Sequence, residues 1–135
     1  MIIASLFAMP LVQAATICDA KNALADARFN LMMMVDETDR EEQNLLKTDI
    51  DTASTALEGV FETMLKDGNK NDDAQLATFQ MTWFEFKNTR ETEIVPAIRK
   101  GNNAKAREIA TGIQAERMQV MNGVIKALHG EDCDL

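Results

Sequence analysis

The sequence predicts an all-α protein, an antiparallel up-down-up-down four-helix bundle. Three observations carry this. Apolar residues recur at steps of three and four along four separate stretches, the period of one helix face. Helix breakers are few, with six Gly and two Pro in 135 residues, and no stretch alternates apolar with polar as a strand would. The only two cysteines, Cys18 and Cys133, stand near opposite ends of the chain.

The chain starts MIIASLFAMPLVQAATICD, with no charged side chain before Asp19. The apolar stretch from Ile2 to Val12 is shorter than the roughly 20 residues that span a bilayer. Pro10 and then Val12-Gln13-Ala14 resemble the end of a secretory signal cut after Ala14. Residues 1–14 are therefore expected to be a signal peptide, with a remnant of an N-terminal membrane anchor as the alternative, and 15–135 the bundle domain. Either reading exports the domain, so the expected location is periplasmic, and a membrane is a partner only if the N-terminal segment stays as an anchor.

In the first helix Ala20, Leu24, Ala27, Leu31 and Met34 form the apolar seam, widened by Phe29, Met32 and Val35. The polar run DETDREE interrupts it, and Thr38 with Glu41 has the spacing of a capping box for the second helix. There Leu46, Ile50, Ala53, Leu57, Val60 and Met64 step by 4, 3, 4, 3 and 4, the spacing of a seam facing a partner helix. KDGNKNDD ends it, with Gly68 expected in the left-handed conformation and Asn71 to Asp73 as caps. The third helix carries Leu76, Phe79, Trp83, Phe86, Arg90, Ile94, Ala97 and Ile98. Pro96 is expected to bend or end it, since proline lacks the amide proton and clashes with the preceding turn. After RKGNN the fourth helix runs from about Ala104 to Leu128, with Ile109, Ile113, Val120, Val124 and Leu128 on its apolar face. Gly112 and Gly123 are expected to allow close approach.

Short turns make sequential helices antiparallel. An even number of them returns the chain to its starting end, so Cys18 and Cys133 meet there. Export places them where thiols pair, and a disulfide between them is expected, with two free or intermolecularly paired thiols as the alternative.

Composition excludes more chemistry than it supports. A net charge of −8 repels phosphate backbones, so no nucleic-acid partner is expected. His129 is the only histidine, which excludes a di-iron bundle with its two Glu-x-x-His motifs. There is no C-x-x-C-H for covalent haem, no glycine-rich phosphate loop, and with both cysteines bridged no Ser-His or Cys-His pair. A non-enzyme without a resident cofactor is expected. A haem or copper carrier is the alternative, using His129 or methionines such as Met32 and Met118, which antiparallel packing sets at similar heights. Arg28, Arg90 and Arg117 border or interrupt apolar seams. Each is a candidate for holding the carboxylate of a small ligand, because guanidinium binds carboxylates in bidentate fashion. Their heights in the bundle prevent all three from gripping one molecule. Glu93 and Glu116 are candidate partners, and Trp83 is a candidate wall of a ligand pocket.

The stretches LADARFNLMMMVDETDREEQNLLKTDIDTASTALEGVFETM and FQMTWFEFKNTRETEIVPAIRKGNNAKAREI, with Arg28 midway along the first helix, resemble the four-helix-bundle sensory domain of methyl-accepting chemotaxis proteins and related sensor kinases. The turn KGNNAKA resembles that family's start to its last helix. The likeness covers about residues 18–129. It implies a periplasmic bundle, a small-molecule ligand between helices and a possible homodimer. A receptor of that family continues into a second membrane helix and a signalling region. Ending at Leu135, this chain is expected to be a free exported module or a piece of a receptor. A protein-interaction partner of a membrane sensor is a further alternative.

Overall fold

The computed structural model of the protein describes residues 16–134. The expected signal peptide or anchor lies outside them. The four predicted rods are present. The first is α1 (Ile17–Val35) and the second α2 (Arg40–Asp67). The third is α3 (Asp73–Thr89), continued through a π-helical turn at Arg90–Ile94 into α4 (Val95–Arg99). The fourth is α5 (Asn103–Thr111) followed by α6 (Ile113–Ala127). A 3-10 turn at Gly130–Asp134 ends the described chain. Among the described residues there is no strand, and no helix is long and apolar enough to cross a membrane.

The predicted seam of α1 is buried throughout, and Ala20, Ala23 and Ala27 bring α1 close against α2, whose Ala53 is also buried. Ile50, Leu57 and Phe61 of α2 meet Leu76, Phe79, Trp83 and Phe86 of α3 in one core. Phe61 packs edge-on against Phe79, with ring centroids 4.6 Å apart. Phe29, expected to widen the core face, instead lies 65% exposed.

The caps differ from the expectation. α2 is capped by Asp39, whose carboxylate accepts from the Glu42 amide at 3.0 Å, rather than by a Thr38 box. Gly68 has φ −87° and ψ −172°, an extended conformation rather than a left-handed one. Glycine is required there because a Cβ would run into the Met64 carbonyl. Asp72, within the predicted Asn71 to Asp73, is the N-cap residue of α3 but makes no side-chain cap bond, while Asn69 caps the short 3-10 turn at Lys70–Asp72, accepting from the Asn71 amide at 2.9 Å. The left-handed glycine is Gly101, with φ 79°, in the turn between the third and fourth rods. At that end Asn103 donates to the carbonyls of Val35 and Glu37 at 2.8 and 3.0 Å, satisfying orphan acceptors where α1 ends.

Two irregularities share a cause. Phe86, Arg90, Ile94 and Ile98 are all buried at three successive steps of four, as are Ala106, Ala110, Gln114 and Met118. A regular helix keeps a face in phase by mixing threes and fours, so a run of fours carries excess residues. The third rod absorbs the excess in its π turn, where the Val95 amide reaches back to the Arg90 carbonyl. Pro96 therefore neither ends nor breaks the rod, because the wider turn removes the contact its ring would otherwise make. The fourth rod absorbs its excess at Gly112, where α5 stops and α6 begins. Gly112 does allow a close approach, to the Glu108 carbonyl, whereas Gly123 faces open space. The shift leaves Ile113 and Val120, expected on the apolar face, exposed.

The rods return the chain to its start. Cys18 and Cys133 form a disulfide with Cα atoms 5.5 Å apart, across 115 residues of sequence.

Candidate functional site

A polar layer crosses the bundle. Gln43, Ser54, Thr89, Arg90 and Gln114 are the buried polar residues, and all but Gln43 belong to this layer with Arg117. Arg90 is fully enclosed. Its Nη1 donates to Ser54 Oγ at 2.9 Å, and its Nε and Nη2 donate to Glu91 Oε1 at 3.1 and 2.9 Å. The Ser54 hydroxyl in turn donates to the Ile50 carbonyl at 2.7 Å. The guanidinium carbon lies 5.7 Å from the Trp83 ring centroid, within reach of a cation–π attraction. Lys47 joins Glu91 at 3.1 Å and Asp51 at 2.6 Å, so the buried cation belongs to a compensated network. The partner is Glu91 rather than Glu93. Adjacent residues do not face each other on a regular α-helix, and this pair sits where the helix widens.

Arg117 is half-buried. Its Nη1 donates to Thr89 Oγ1 at 2.6 Å and to Gln114 Oε1 at 3.0 Å, while Nε lies 3.7 Å from Glu85. Glu85 replaces Glu116 as its acidic neighbour. Gln114 donates to the Phe86 carbonyl at 2.9 Å, fixing the α3–α6 contact. Trp83 is fully buried, stacked on Phe86, and donates through Nε1 to Glu58 at 3.3 Å. Lys87 shares that carboxylate at 2.6 Å. Arg90, Arg117 and Trp83 therefore have their polar groups engaged by the protein itself. A ligand carboxylate reaching Arg90 would have to displace Glu91 from a closed core.

Arg28 differs. It is exposed on α1 and makes no hydrogen bond or ion pair with the described residues. It lines a cleft of about 420 Å³ between α1 and α6. Lys21 and Asn122 share the lining, and Leu24, Phe29, Met32 and Met118 supply its apolar walls. The cleft is polarised along the bundle. Lys21 lies nearest the disulfide, Arg28 about 10 Å further along α1 and Met32 about 6 Å beyond that, at about 1.5 Å per residue. The antiparallel α6 sets Asn122 toward the lysine end and Met118 toward the methionine end. A cationic and amide-bearing end thus leads to a soft apolar one, inside the volume range of small-molecule sites.

The structure therefore places Arg90, Arg117 and Trp83 about one internal layer and Arg28 on a separate cleft, while Trp83 also borders a cleft of about 570 Å³ between α2 and α3. Lys21, Asn122 and Phe29 were not singled out as site residues in the sequence. No periodic signal marks them, since what makes them lining residues is the space between two rods distant in sequence. Ser54 and Gln114 are polar residues at core phase, a signal that was present in the spacing.

Met32 and Met118 lie on the same cleft, Met34 is buried and Met33 exposed. His129 is exposed at the opposite end from Met33 and Met34 and caps α6 in the left-handed conformation, φ 67°. Among the described residues no group of three or more His, Cys, Asp or Glu is placed to hold a metal ion.

A family model described as the four helix bundle sensory module for signal transduction matches residues 3–130. No curated protein and no solved structure matches the chain.

Proposed function

The chain belongs to the four-helix-bundle sensory modules of signal transduction, and from that premise we propose that it binds a small carboxylate in the α1–α6 cleft as the ligand-sensing part of a signalling system. The observation that carries the proposal is Arg28: a guanidinium without a partner among the described residues, bordering a cleft with apolar walls. In a chain of net charge −8, Arg28 offers a local anion site that the surface elsewhere disfavours, with Lys21 at the far end of the same cleft. Arg90, Arg117 and Trp83 act at one remove, holding the rods that form the cleft. The role is binding rather than catalysis. The N-terminal segment would direct export, and the Cys18–Cys133 disulfide suits an oxidising compartment such as the periplasm.

Thermal unfolding of the oxidised protein with phenylacetate, succinate or phenethylamine tests the proposal. A carboxylate present at 100 times its Kd adds about 2.7 kcal/mol of stability. The shift is expected with a carboxylate, absent with the amine, and lost in Arg28→Gln, an exposed change that leaves the fold intact. Persistence of the shift in that variant, or no shift with any carboxylate, would sink the reading. A second reading rests on Met32 and Met118 lining the same cleft, since two thioethers favour Cu(I). It predicts stabilisation by Cu(I) that Met118→Leu removes and Arg28→Gln does not.

A further inference from the structure

Among the described residues, two ties join the end of the chain that follows α6 to α1. The covalent tie is Cys18–Cys133. The second lies three residues inward on each strand of the connection, where Lys21 Nζ donates to the Gly130 carbonyl at 3.2 Å. Lys21 is also the residue that closes the cationic end of the α1–α6 cleft. The residue just before these ties has a conformation that is uncommon outside glycine. His129 has φ 67°, in the region that favours glycine. Gly130 is buried so closely on Ile125 that a Cβ would collide with its Cγ2. Both cysteines keep partial exposure, so a reductant in solution can reach the bridge.

We propose that the Cys18–Cys133 bridge is a redox control on the cleft, with Lys21 as the link. This rests on the reading of the cleft as the ligand site. The reductant is a dithiol. One of its thiolates attacks a bridge sulfur, the S–S bond breaks and the other cysteine leaves as a thiolate. The second thiol then displaces the mixed disulfide. Two electrons and two protons pass to the protein, giving two cysteine thiols and a cyclic disulfide on the reagent. With the bridge open, the short loop that presents the Gly130 carbonyl to Lys21 is no longer closed. The left-handed turn then has no covalent tie and is held only by non-covalent contacts, among them the backbone bonds from His129 to Lys126 and from Asp132 to His129, the Lys21–Gly130 bond and the packing of Gly130. The turn relaxes, the carbonyl leaves Lys21, and the lysine end of the cleft loses its fixed position. Oxidised protein has the ordered cleft and binds; reduced protein binds weakly.

Hydrogen exchange of full-length protein, oxidised and after dithiothreitol, tests this without any ligand. Reduction is expected to proceed with the helical circular dichroism retained. Amides of 128–132 and of the first two turns of α1 should then exchange at least 10-fold faster, while those around Leu57 and Trp83 stay protected. The Cys18→Ser/Cys133→Ser variant should reproduce the pattern in the absence of reductant. The proposal is overturned if the bridge opens only when the whole protein unfolds, or if the turn exchanges equally in both states. Binding of phenylacetate supplies the second arm. It should weaken at least 3-fold on reduction, and Lys21→Met should weaken it similarly while leaving little further effect of reduction. If phenylacetate and succinate bind neither form but the exchange pattern appears, the redox device stands and the carboxylate reading falls. If a carboxylate binds equally well in both redox states, the reverse holds.

Discussion

Arg90 is the residue at which the seam and the chemistry conflict. It stands in phase with Trp83, Phe86 and Ile94, so the fold buries it, yet burial of a cation is costly unless its donors are met. Ser54, Glu91 and the Trp83 face meet them. Arg90→Ala is expected to lose about 3–5 kcal/mol in urea unfolding, because it empties the volume of a fully enclosed side chain and removes the donors that tie Ser54 and Glu91 into the layer. Arg90→Met fills the volume and is expected to cost less than about 1.5 kcal/mol. Equal losses in the two variants would show that the charge network, not the space it fills, holds the layer. At the other end, His129→Gly removes a left-handed strain of about 1–2 kcal/mol and adds backbone entropy to the unfolded chain of about 0.5–1 kcal/mol. A net gain of roughly 0.5–1 kcal/mol in thermal unfolding is the expected result, whereas Gly130→Ala should destabilise by about 1–3 kcal/mol through overpacking against Ile125.

Among the elements, the third rod shows how a local irregularity keeps a global pattern. Its π turn holds one residue more than an α turn, and Thr92 is an exposed residue within it. Deleting Thr92 should return the segment to α-helical winding and set the Pro96 ring against the carbonyl of the preceding turn, at a cost of about 3 kcal/mol. Adding Pro96→Ala to the deletion should recover most of that loss. Chemical denaturation of the two proteins decides it: if the deletion is equally damaging with and without proline, the π turn has a purpose other than phase. The seams of α1, α2 and α3 were legible from spacing because each buries a stripe of large apolar residues. The fourth rod was read less well. Its core face includes Ala106, Ala110 and Gln114, small or polar residues with little apolar signal, and the break at Gly112 rotates the following turns. Ile113 and Val120, the more apolar residues, were therefore assigned to the wrong side.

For the whole molecule the bridge dominates. Closing 115 residues of sequence restricts the unfolded chain by about 4–5 kcal/mol in the loop-entropy account. Cys18→Ser/Cys133→Ser should lower the unfolding free energy by up to that amount and still give a folded bundle, because the core of four rods is independent of the bridge. Loss of all helical signal in the variant would contradict that independence.

By itself the sequence determined the number of rods, their order and most of their buried faces, since a periodic apolar stripe can be buried only against other helices. It also brought the two cysteines to the same end, because an even number of antiparallel rods returns the chain to its start, and the structure shows them bonded there. Only the tertiary structure decided which of the three candidate arginines has no partner among the described residues. Arg28, Arg90 and Arg117 look alike in the chain, and their difference lies in carboxylates, hydroxyls and amides on other rods. The cleft belongs to the same class of fact. Lys21 and Arg28 meet Met118 and Asn122 across nearly the whole length of the chain, and spacing along one helix carries no record of what stands opposite it.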